Sequence, residues 1–132
     1  LRRLYPAVPV FIRAFDSSGR SNVGHALETV VLNELKRRNA ELGYVKTSEG
    51  LEVDFLVRHP DAGEELVQVC ADLSSPETLS RELRALDAAG KEHRRAAKRL
   101  LVLDRDALTA IRESDVTVQP AYEWLLAAPE HT

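Results

Sequence analysis

Apolar residues along this chain alternate between two periods, one near 3.6 and one near 2, and the switches between them mark out its elements. From Asn22 onward, Leu27, Val30, Val31 and Leu35 recur at the helical period, which predicts a helix capped by Ser21 or Asn22 and closing near Arg38. Its final Lys36, Arg37 and Arg38 suit the negative end of a helix dipole. After a break near Gly43, "YVKTS" and "LEVDFLV" read as two strands joined by a turn at Glu49 and Gly50. A second turn, "HPDAGE", leads to a third strand, "ELVQVCA", antiparallel to the second. The helical period then returns, with Ser75 as cap, Pro76 at the first position and Leu79, Leu83 and Leu86 on one face; it can be followed past Gly90 through "KEHRRAAKR". "LLVLD" predicts a strand, "RDALTAIRES" a short helix, "DVTVQP" a strand and "AYEWLLAA" a last helix or turn. Residues 1–21, with Pro6 and Pro9, an apolar "VFIRAF" and the turn-rich "DSSGRS", read as an irregular lead-in holding a short strand and a helical turn.

The resulting order is α-β-β-β-α-β followed by a smaller β and a short α. The long helix must carry the third strand to "LLVLD" by a right-handed crossover, which makes those two strands parallel. The expected fold is α/β, a mixed sheet with helices on both faces. At 132 residues, the whole chain, 1–132, is the size of one domain.

Two strands of this scheme carry polar residues where a covered strand should be apolar. In the second, Leu51, Val53, Phe55 and Val57 alternate onto one face and Glu52, Asp54, Leu56 and Arg58 onto the other. In the third, Leu66, Gln68 and Cys70 share a face opposite Val67, Val69 and Ala71. Asp54 and Gln68 therefore fall inside, where an acid costs several kcal/mol, roughly, unless it is bonded, protonated or metal-bound. Glu28 shares a helix stripe with Val31, Leu32 and Leu35, and a hydrogen-bonded acid at the core's rim is its ordinary explanation.

Composition narrows the partners. A net charge of −3 shows no overall commitment to nucleic acid or anionic membrane, so any such contact must be local. A local basic run is Lys91, Arg94, Arg95, Lys98 and Arg99, with His93 among them; a solvated helix end explains it, and a phosphate-contacting surface is the functional alternative. The four histidines lie far apart without metal spacing. Capping and surface pairing account for Ser74, Thr78, Arg81 and Glu82, and core anchoring for Tyr122 and Trp124. A single cysteine forms no internal disulfide, which fits a reducing compartment, the cytoplasm. No apolar stretch approaches the roughly 20 residues that cross a bilayer. The start at Leu1 and the lack of methionine lead us to expect a piece of a longer polypeptide.

A strand acid, then an acid-x-lysine pair on the next strand, with a glutamate from the preceding helix, is the arrangement of the PD-(D/E)xK nuclease superfamily. This chain resembles it in element order, with Glu28, Asp54 and "QVC" at the equivalent places. In such nucleases carboxylates hold Mg²⁺, which polarises the phosphodiester, and the lysine positions or activates water. Here Gln68 stands for the second acid and Cys70 for the lysine. Five blocks, "LYPAVPVFIRAF", "GHALETVVLNELKRR", "GYVKTSEGLEVDFLV", "LVQVCADLSSPETLSREL" and "VTVQPAYEWLL", further resemble the C-terminal domain of unknown function of predicted bacterial and archaeal AAA-type ATPases. That resemblance implies a restriction-endonuclease-like fold behind an N-terminal P-loop module. ATP would bind only in that module, because this chain has no G-x-x-x-x-G-K-S/T.

Three functional readings follow. The first is a degenerate nuclease-like domain, inactive or very weak, with a vestigial site of Glu28, Asp54, Gln68 and Cys70, acting through nucleic acid or protein contacts and self-association. The second is an active Mg²⁺-dependent nuclease in which Glu28, Asp54 and Gln68 hold the ion and Lys46 replaces the missing lysine. The third is a purely structural interaction or dimerisation module.

Overall fold

Among the described residues six strands lie side by side in the order in which the chain makes them. In the computed structural model, residues 2–3, 22–61, 63–71, 76–103 and 115–127 are described. The strands are β1 (Arg2–Arg3), β2 (Glu41–Lys46), β3 (Glu52–His59), β4 (Gly63–Cys70), β5 (Ala97–Val102) and β6 (Val116–Pro120), and the helices α1 (Asn22–Arg37), α2 (Pro76–Glu92) and α3 (Ala121–Leu126). Strands β1 to β4 pair antiparallel, whereas β4 with β5 and β5 with β6 pair parallel. The expected α/β mixed sheet, its meander and its crossover through α2 are all present.

Two apolar layers sandwich the sheet. Val31, Leu32 and Leu35 of α1 and Ala121 and Trp124 of α3 pack on Phe55, Val57, Val67, Val69 and Leu101. On the opposite face Ala85, Leu86 and Ala89 of α2 pack on Val53, Leu56, Leu66, Cys70, Leu100 and Val102. The alanines of α2 bring that helix close to the sheet, as small side chains at a contact do.

Several sequence expectations change. Val30 was expected on the inner face of α1, but the buried stripe is Gly24, Glu28, Val31, Leu32 and Leu35, and Val30 is 44% exposed. At 100° per residue Val30 falls about 140° from the centre of that stripe, whereas Leu32 falls within it. Helix α1 stops at Arg37, where Asn39 takes a left-handed φ of 58° and the Ala40 N–H donates to Leu35 O at 3.1 Å. Gly43 does not break the chain; it lies inside β2, which begins at Glu41. Nor does α2 run through the basic stretch. It ends at Glu92, a turn holds Arg94 and Arg95, and β5 has begun by Lys98. Tyr122 is 45% exposed, while Trp124 is buried as expected. The expected helix "RDALTAIRES" and the caps Ser21 and Ser75 lie outside the described residues, as does Ser74.

The sheet has one irregularity that bears on the site. Gly43 faces Leu56 and Val45 faces Val53, so β3 takes one residue more than β2 over this interval, a β-bulge. The bulge resets the alternation of side chains. Val53 joins Leu56 under α2, not Phe55 and Val57 under α1 as strict alternation would have it. Among the described residues no helix is long and apolar enough to cross a membrane.

Candidate functional site

Just past the bulge, β3 and β4 part. Their ladder runs from His59 opposite Gly63 to Phe55 opposite Val67, and the pairing goes no further. Side chains bridge the gap beyond it. The Asp54 N–H donates to Gln68 Oε1 at 2.8 Å, Gln68 Nε2 donates to Glu52 O at 3.2 Å, and the Val69 N–H donates to Asp54 Oδ2 at 2.9 Å. Asp54 and Gln68 are 1% and 2% exposed, and the bonds to the N–H groups of Asp54 and Val69 are buried, where an unpaired donor would be costly. The amide's orientation is dictated by its neighbours, since a backbone N–H needs the oxygen and a carbonyl needs the NH₂. Two polar residues inside otherwise apolar strands are thus explained as substitutes for missing ladder bonds.

Cys70, two residues on, closes β4 at 6% exposure and packs in the aliphatic cluster beneath α2. Its thiol is in no disulfide and fills core space. Glu28, 3% exposed, comes from α1 and therefore from the other layer. The structure brings Asp54 and Gln68 into direct bonding, sets Cys70 on the α2 side, and places Glu28 on the helix covering the face of Val67 and Val69. Among the described residues no group of three or more His, Cys, Asp or Glu side chains stands close enough to hold a metal ion. Lys46 lies exposed on β2, opposite Glu52.

Three of the five cations of the basic run are neutralised by acids. Along β4, Lys98 pairs with Leu66 and Arg99 with Val67, two residues and one residue before Gln68. The turn of Arg94 and Arg95 follows the end of α2, where Glu92 Oε2 accepts from the Ser48 N–H at 3.1 Å. Lys91 Nζ lies 3.5 Å from Asp87, and Lys98 Nζ lies 2.6 Å from Asp115. The hydrogen bond from Lys98, with its charge, holds the Asp115 carboxyl below its ordinary range. Arg99 donates to Glu65 at 3.1 Å and to Gln119 at 2.6 Å. Arg94 and Arg95, both exposed, enter no ion pair among the described residues.

Three polar features escaped the sequence reading. His59, Glu65, Arg99 and Gln119 form a row across β3, β4, β5 and β6, with His59 Nε2 3.8 Å from Glu65. Their separations in sequence give no pattern to detect. Glu82, expected on the surface, is 8% exposed on the inner side of α2. The Arg38 guanidinium lies 4.4 Å from the centroid of the Trp124 ring, pairs with Glu34 at 2.7 Å and donates to the Trp124 carbonyl at 2.8 Å. Only the Glu34 to Arg38 spacing of four residues was a legible signal.

The class these features define is a mixed α/β domain with helices on both faces and a hairpin opened at one end. Residues 23–124 match the model of a domain of unknown function, DUF4143. The chain belongs to that family. No curated protein and no solved structure matches it.

Proposed function

We propose that this domain has a nuclease-like fold in which the catalytic position has become structural, and that it acts through contacts with nucleic acid or protein and not through cleavage. The observation that carries this reading is the Gln68 amide. Both of its polar ends are taken up by β3, through Asp54 N and Glu52 O. A magnesium shell calls for oxygen ligands, several of them charged. At this gap Gln68 offers a neutral oxygen already engaged, Asp54 has one oxygen committed to Val69, and a thiol stands where a lysine would steer water. Glu28 and Asp54 are the buried carboxylates, of the four among the described residues, on which the active Mg²⁺-dependent alternative would rest.

In the same proposal the domain sits in the cytoplasm behind an ATPase module of a longer chain, and self-association is one of its contacts. ATP belongs to that module. What supports the link is the five-block resemblance set out above.

The test is incubation of the protein with Mg²⁺ or Mn²⁺ and supercoiled plasmid, single-stranded DNA and RNA. No cutting is expected. Cutting that vanishes in Asp54→Asn, a variant that keeps an acceptor for the Val69 N–H, would establish the enzymatic reading instead. Circular dichroism of that variant separates a lost activity from a lost fold.

A further inference from the structure

We draw no further inference here: the strongest candidate, the outward apolar stripe of Val23, Ala26 and Val30 on helix α1, is an unpartnered face, and nothing in the structure shows what covers it.

Discussion

The Gln68 side chain accepts from the backbone of Asp54 and donates to the backbone of Glu52, so one amide joins two strands at the point where their ladder fails. A carboxylate of the same shape could do only half of this. Gln68→Glu keeps an acceptor for Asp54 N but turns an oxygen toward the Glu52 carbonyl, in a position with almost no solvent. The expected cost is about 1–3 kcal/mol at neutral pH. Protonation restores a donor, so the penalty should shrink as pH falls and grow as pH rises above the ordinary glutamate value of about 4.3. Urea unfolding at several pH values measures it, and a variant as stable as the parent at pH 7 would refute the bridging role.

Cys70 tests the other half of the proposed site. Cys70→Lys puts an ammonium among Ala85, Leu86 and Ala89 and should destabilise the domain by about 2–4 kcal/mol, whereas Cys70→Ala should cost about 1 kcal/mol. Thermal unfolding of the two variants side by side gives the comparison. Were lysine tolerated as well as alanine, position 70 would be open to solvent and ready for a charge.

Trp124 is the only tryptophan in the chain, which makes the clamp under Arg38 directly observable. Removing the guanidinium by Arg38→Ala takes away its stacking on the ring and its bond to the Trp124 carbonyl. The intrinsic fluorescence should shift to the red as water reaches the ring, with a loss of about 1–2 kcal/mol. Arg38→Lys should restore little of this, since an ammonium cannot stack and donate in a fork at once. A spectrum unchanged in Arg38→Ala would show that α3 holds its place without the clamp.

Hydrogen bonds from Arg37 and then Arg38 lower the Glu34 carboxyl from its ordinary 4.5 to about 2. A depressed acid stabilises the fold above its unfolded value, and that stabilisation is lost as pH falls from about 4.5 through about 2. Because Arg37 is largely exposed, solvent screening leaves a contribution on the order of 1 kcal/mol. Glu34→Gln should therefore narrow the gap between stability at pH 6 and at pH 2.5. Chemical denaturation at those two values, in low salt, is the measurement, and an identical gap would show that the pair contributes nothing.

If nucleic acid is a partner, Arg94 and Arg95 should carry more of the contact than Lys98 or Arg99. Replacing both with alanine should reduce the salt slope of binding by about 2 while leaving stability unchanged. Lys98→Ala should instead act on the fold, through the lost pair with Asp115. Fluorescence anisotropy with a labelled oligonucleotide between 50 and 200 mM salt, as about the useful range, separates the two effects.

Much of the fold could be read from the chain because its elements obey local rules. The helical stripe of Val31 and Leu35, the proline at the start of α2 and the turn at Gly50, whose φ is +85°, each follow from neighbours in sequence. What escaped was set by partners far along the chain. The face of Val53 depends on a bulge defined against β2, and Gly43 reads as a breaker until β3 lies beside it. Asp54 and Gln68 could be marked as buried polar residues, but their mutual bonding depends on two strands separating, which neither segment encodes alone. The row from His59 to Gln119 had no sequence trace at all.

The identity of strand order and chain order carries a consequence for how the domain assembles. Each strand pairs with the one made just before it, so no strand has to be inserted between two that are already joined. The hairpins of β2, β3 and β4 close over short turns and offer an early template at modest loop-closure entropy. Strands β5 and β6 then add in turn to a growing edge, each after a longer connection. The slow step of folding should accordingly fall among the pairings that reach furthest along the chain, β1 on β2 across α1 and β5 on β4 across α2.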